Sequence, residues 1–142
     1  MIILAADHGG FELNQKIKQM LSDKGIDYAD VGAHRFDALD NFPAFVARGV
    51  KAVLDNKCFG IFICGSGIGI SIAANRRRGI RAAFCHNVEY AKLAREHNNA
   101  NVLCLGGRFT SIEEAEKIID TFLNTEFLGG KYTARMAMIE RY

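Results

Sequence analysis

The sequence predicts an α/β fold, a parallel β-sheet with helices packed on both faces. Three observations carry this. Short apolar runs alternate with amphipathic stretches along the whole chain, the pattern of repeated strand–helix units. The run Phe59–Cys64 (FGIFIC) is apolar without interruption, as a strand covered on both sides must be. Residues of functional type gather where the strands should end, and in open parallel sheets that edge is where ligands bind.

Taken in order, Ile2–Ala6 is the first strand. Phe11–Lys24 is the first helix, with Leu13, Ile17, Met20 and Leu21 spaced three and four apart on one side. Gly25 stops it, because glycine tolerates the left-handed conformation at a helix end. Tyr28–Val31 is a weaker strand, followed by the polar loop 32–42. Pro43 suits the first turn of the next helix, where its missing N–H costs nothing. That helix runs to about Asn56 with Val46, Val50, Val53 and Leu54 inward. After strand Phe59–Cys64 comes a helix of small residues, Ile68–Arg77, then strand Ile80–Cys85, helix Val88–His97 and strand Val102–Leu105. Ser111 and Glu114 form an S-x-x-E capping box that opens a helix through Ile118, Ile119 and Phe122. Gly129-Gly130 breaks the chain before a terminal helix, Tyr132–Tyr142.

The length of 142 residues is that of one domain, since domains typically run roughly 100–150 residues, and we expect residues 1–142 to form a single unit. Apolar residues make up 49% and charged residues 24%, an ordinary globular composition that excludes disorder and fibres. The formal net charge is +2, no signature of a nucleic-acid partner. No apolar run approaches the roughly 20 residues that cross a bilayer, and Met1–Ala6 meets Asp7 too soon for a signal peptide. The cysteines at 58, 64, 85 and 104 show no C-x-x-C spacing, so reduced thiols and a cytoplasmic location are expected.

The sharpest chemical feature is Cys64-Gly65-Ser66-Gly67-Ile68-Gly69, between a buried strand and a helix. Glycines let the backbone curl and leave its amides uncovered. Those amides and the helix N-terminus behind them can hold an anion, and the same field favours a thiolate at Cys64. The segment is not a Walker A loop, because no Lys-Ser/Thr follows the last glycine. It is not a dinucleotide fingerprint, because the spacing is G-x-G-x-G and no acidic residue ends the next strand. It also lacks the arginine of a cysteine phosphatase, since position 70 is isoleucine. Read by itself, Cys64 is better explained as a buried structural thiol than as a catalytic one, and the structural reading covers Cys58, Cys85 and Cys104 more strongly.

Asp7-His8 after the first strand either caps the next helix or belongs to a site. Arg108, after Gly106-Gly107, is either a solvated arginine or a phosphate fork. Arg76-Arg77-Arg78 reads as surface or subunit contact. His86 at a strand end is a weak candidate, His34 has no role, and no set of His, Cys and carboxylates has metal-ligand spacing. The helix Val88–His97 starts at the carboxyl edge of the sheet and runs back. His97 therefore lies far from its own subunit's loops, and Lys131 and Arg135 follow a returning helix in the same way. Either these are surface groups, or they complete the site of a neighbouring subunit, which requires at least a two-fold dimer.

Together AADHGG, NFP, ICGSGIGISIAANR, GIRAAFC, REHNNANVLCLGGR and GGKYTAR resemble the ribose-5-phosphate isomerase type B family, which includes allose- and galactose-6-phosphate isomerases. The resemblance spans essentially the whole chain. It implies a Rossmann-like α/β/α fold with sheet order 2-1-3-5-4, and no metal or cofactor. The activity it implies is interconversion of ribose 5-phosphate and ribulose 5-phosphate through a cis-enediolate. It casts Cys64 as the base, the amides of Gly65, Gly67, Ile68 and Gly69 as the anion hole, and Ser66 and His97 as the ring-opening groups. Asn98 matches a sugar-binding position, Asp7 and His8 match contacts to the hydroxyls and the phosphate end, and Arg108, Lys131 and Arg135 match phosphate contacts. The implied assembly is a homodimer or tetramer with a shared site. An allose- or galactose-6-phosphate isomerase, or a sugar-phosphate binding module without catalysis, are the other readings. Lys131 and Tyr132 stand where many members carry arginine and histidine, so the bidentate fork is lost while the charge is kept. Asp40-Asn41-Phe42-Pro43 replaces the usual Asp-Tyr-Pro, which leaves the reach of Asp40 open.

Overall fold

A computed structural model describes Met1–Tyr142. The strands are β1 (Ile2–Ala6), β2 (Tyr28–Asp30), β3 (Phe59–Cys64), β4 (Ala82–Phe84) and β5 (Val102–Gly106). They form one parallel sheet in the order β2-β1-β3-β5-β4, the order implied by the family resemblance. The helices are α1 (Phe11–Asp23), α2 (Phe42–Asn56), α3 (Ile68–Asn75), α4 (Val88–Asn98), α5 (Ile112–Asn124) and α6 (Lys131–Ile139).

Alternation along the strands makes the three layers, because successive side chains point to opposite faces. Ile2, Leu4 and Ala6, with Ile61, Ile63, Leu103 and Leu105, pack against α1, α4 and α5. Ile3, Ala5, Phe62, Cys64, Val102 and Cys104 point the other way, against α2 and α3. The three central strands are apolar throughout because each face buries its own row. Helix α6 contributes no buried residue and lies outside both clusters.

Local signals operate as the chemistry requires. Ser111 Oγ accepts the Glu114 amide at 3.1 Å at the start of α5, and Pro43 stands in the first turn of α2. The fourth strand is shorter than the expected Ile80–Cys85, and α3 stops at Asn75 rather than Arg77. Side chains bind the open edge and the start of this strand, while Arg81 and Cys85 keep backbone hydrogen bonds to the neighbouring segment 101–104. Asn75 brackets Ala82, Oδ1 accepting its amide at 2.8 Å and Nδ2 donating to its carbonyl at 2.9 Å, while the Arg81 amide donates to Asn101 Oδ1 at 2.8 Å. The terminal helix ends at Ile139 instead of Tyr142. No helix is long and apolar enough to cross a membrane.

Candidate active site

Strand β3 delivers Cys64, buried at 5% exposure, to the carboxyl edge of the sheet. The chain then reverses into α3 through Gly67, whose φ of +82° is a left-handed conformation that glycine adopts without strain. The turn aims the Gly67 amide at Cys64 Sγ, 3.1 Å away, a hydrogen bond that supports negative charge on sulfur. Ser66 Oγ accepts the Ile68 amide at 3.1 Å, which leaves its hydroxyl proton free to donate. Two of the amides implied as an anion hole, those of Gly67 and Ile68, are thus engaged within the loop. The amides of Gly65, Ser66 and Gly69 donate to no acceptor in the chain and are the open ones.

Three strand-end loops meet backbone to backbone at this point. A Cβ on Gly9 would sit 2.7 Å from the Gly65 nitrogen, one on Gly107 2.5 Å from the Gly9 carbonyl oxygen, and one on Gly106 2.6 Å from the Ser66 carbonyl oxygen. Only hydrogen side chains allow this closeness. The Gly107 and Arg108 amides lock the seam by donating to the Cys64 and Gly65 carbonyls at 2.8 and 3.1 Å. The Arg108 guanidinium lies over Gly65, with Nη1 2.8 Å from the place a Cβ would take. An exposed cation therefore stands beside open amides and a thiol.

Asp7 acts as a cap, its Oδ1 accepting the Gly10 amide at 3.1 Å ahead of α1. It is also buried at 5% exposure next to His8, so capping and site placement coincide. Asp40 reaches the site. Its Oδ1 lies 2.7 Å from His8 Nδ1 and accepts the His8 amide at 3.1 Å, and its Oδ2 is buried without a hydrogen-bond partner. The donor atoms of Asp7, His8 and Asp40 lie within 4.8 Å of one another, a grouping that sequence spacing did not reveal because Asp40 arrives from the far side of a polar loop. Hydrogen bonds within the group already occupy His8 Nδ1 and Asp7 Oδ1. Phe42, at the end of that loop, covers Gly69.

The remaining candidates form a second cluster. Helix α4 is capped by Asn87 just beyond β4, runs antiparallel to the strands, and closes at Asn99, three residues before β5 begins. His97 and Asn98 are therefore at the amino edge, opposite Cys64. The His97 imidazole stacks on the Tyr132 ring at 4.4 Å between centroids and 13° between planes. Lys131 Nζ and Arg135 Cζ lie 5.3 and 5.5 Å from the centroid of the same ring. Tyr132, set apart in the sequence only by its departure from histidine, is the plate on which the cluster is assembled. Of the other residues singled out, Arg76, Arg77 and Arg78 are exposed, His34 Nε2 lies 2.9 Å from the Asp30 carbonyl oxygen, and His86 packs on Tyr90.

Burial governs the other three thiols. Burial pushes Cys85 up to about 12 and Cys58 up from its ordinary value. Cys104 is driven up strongly by burial, with repulsion from Cys64 and Cys85 adding to it. None of the three has an amide aimed at its sulfur.

A five-stranded α/β/α sheet of Rossmann-like architecture presents a thiol and open amides at its β3–α3 glycine turn. The sequence model described as Ribose/Galactose Isomerase matches residues 2–139, and the chain belongs to that family. It is 45% identical over 125 residues to the ribose-5-phosphate isomerase B of Mycobacterium tuberculosis, covering 87% of this chain and 77% of that one. It superposes on a ribose 5-phosphate isomerase from Thermotoga maritima with a TM-score of 0.96 at 46% identity, over 99% and 97% of the two chains. It also superposes on ribose-5-phosphate isomerase B from Mycoplasma genitalium with bound ribulose-5-phosphate, with a TM-score of 0.94 at 41% identity over 99% and 94%.

Proposed function

We propose that the protein interconverts ribose 5-phosphate and ribulose 5-phosphate as a homodimer or a tetramer built from dimers, in the cytoplasm, with residues 1–142 acting as one isomerase domain. The observation that carries this reading is the Cys64 turn, where one thiol accepts an amide hydrogen bond and three further amides stand open beside it.

In this mechanism His97 of a second copy donates a proton to the ring oxygen of the furanose, and Ser66 assists at the anomeric hydroxyl. The Cys64 thiolate takes the proton from C2 of the open aldose and returns it to C1. The O2 hydroxyl proton passes to O1, so that C2 becomes the carbonyl carbon. The enediolate between these states carries its negative charge on oxygen, and the amides of Gly65, Ser66 and Gly69 are its natural partners. His8 and Asp7 sit where hydroxyls and the phosphate end can be held, and Arg108 supplies positive charge. Asn98, Lys131 and Arg135 come with His97 from the second copy.

The separation of the two clusters supports sharing between copies. His97 lies on the opposite sheet edge from Cys64, so no rotamer change can bring them together in one chain. Exposed apolar side chains accompany the idea, Ile68 and Ile72 on α3 and Met138 and Ile139 on α6, at 46–62% exposure.

The test is turnover of ribose 5-phosphate with solvent-hydrogen exchange at C2, compared with allose and galactose 6-phosphates. Cys64→Ala is expected to lose turnover by about 100-fold or more while still binding substrate. Near-normal turnover by that variant would overturn the role of the thiol. Binding of ribose 5-phosphate without exchange at C2 would identify a binding module instead.

A further inference from the structure

Helix α6 carries Lys131 and Arg135 but buries none of its own residues, so the hydrophobic core does not decide where it stands. Its first turn leans on α4 through the Tyr132–His97 stack. Its far end is tied down by Glu140. Arg81 Nη1 donates to Glu140 Oε1 at 2.6 Å, and the Gly79 amide donates to Glu140 Oε2 at 3.1 Å. Both oxygens of one carboxylate are thus engaged, one by a guanidinium and one by backbone. The ion pair is partly shielded, with side-chain exposures of 22% and 33%, unlike the open surface pairs that contribute little.

Arg81 also faces α4. Its Nε donates to the Asn99 carbonyl at 2.9 Å, and Asn99 is the left-handed residue that closes α4 directly after His97-Asn98. One side chain therefore bridges the end of α4 to the end of α6. We infer that the Arg81–Glu140 pair is a clamp that places the cations of α6 relative to His97, and that Glu140 is a positioning residue for phosphate binding. The inference rests on the proposed function, because the phosphate is that of the proposed substrate.

A clamp that acts on phosphate predicts a divided effect. In the full-length protein, Glu140→Gln should raise KM for ribose 5-phosphate about 10-fold while kcat stays within about 2-fold. Inhibition by inorganic phosphate should weaken by the same factor. Adding Glu140→Gln to Arg81→Met should change KM little further, because the two residues act as one unit. A pair that only stabilises the fold would lower kcat through loss of active protein and leave KM unchanged; that outcome, or unchanged KM and phosphate inhibition, overturns the inference. Calorimetric binding of inorganic phosphate to wild type and Glu140→Gln needs no turnover. Equal affinity for phosphate in the two proteins overturns the clamp, whereas failure of wild type to isomerise ribose 5-phosphate counts against the proposed function alone.

Discussion

The His97 imidazole lies flat against the Tyr132 ring, 4.4 Å between centroids and 13° from parallel. The contact joins the last turn of α4 to the first turn of α6, and the Lys131 and Arg135 cations flank the same ring. A flat stack fixes the plane of an imidazole while leaving its nitrogens free at the ring edge. Such a pair contributes about 0.5–1.5 kcal/mol beyond its buried area. Tyr132→Ala is therefore expected to lower kcat/KM for ribose 5-phosphate by about 2- to 10-fold, and Tyr132→Phe, which keeps the ring, should stay near wild type. Steady-state kinetics of the two variants check this.

At the other edge, Asp40 holds His8 through Nδ1 and through the backbone amide. The carboxylate directs the His8 Nδ1 proton to itself and leaves Nε2 for a ligand. Hydrogen bonds to a charged group contribute about 1.5–3 kcal/mol. Asp40→Asn should therefore lower kcat/KM by about 10- to 100-fold in protein that is still folded at the assay temperature. Kinetics paired with thermal unfolding separate this from a folding defect.

A shared site makes a definite statement about mixed dimers. Cys64→Ala and His97→Ala chains are each inactive as homodimers under the proposed mechanism. A heterodimer of the two holds one site with both defects and one site with neither, so about half of wild-type activity per dimer should return on subunit exchange. Co-purified dimers bearing two different affinity tags provide the measurement, and inactive heterodimers would place Cys64 and His97 in the service of one chain.

The buried thiols should make the fold sensitive to alkali. Cys85 is held protonated up to about 12 against an ordinary 9.0, and Cys104 is shifted the same way. Above pH 9 the unfolded chain releases these protons and the folded chain keeps them, so unfolding is favoured as pH rises. Stability from these thiols is full below about pH 9 and declines above it, for Cys85 by about 1.4 kcal/mol per pH unit up to about 12. Denaturant midpoints from pH 8 to 11 should show the decline, and Cys85→Ala should flatten it relative to its own value at pH 8.

Chemical type and local period were written plainly in the chain. The unbroken apolar run Phe59–Cys64 marked a strand covered on both faces, and the glycines around Ser66 marked the turn where open amides stand beside Cys64. The capping box at Ser111 and Pro43 located two helix starts because both are contacts within one turn. The ends of β4 were not legible in this way. Residues 80–85 have the apolar character of a longer strand, but the Arg81 amide just before β4 is taken by the Asn101 side chain, a partner 20 residues away.

By itself, then, the sequence determined the alternation of elements, the glycine turn that follows Cys64, and the placement of His97 on a helix that returns to the edge opposite that turn. These follow from periodicities and spacings that short-range sterics impose. Only the tertiary structure decided that Asp40 crosses to His8, that Gly67 and Ile68 turn their amides inward, and that Tyr132 rather than any core residue gathers His97, Lys131 and Arg135. Each of those contacts depends on the path of a loop or on the seat of a helix outside the core, where long-range packing and not local pattern sets the geometry.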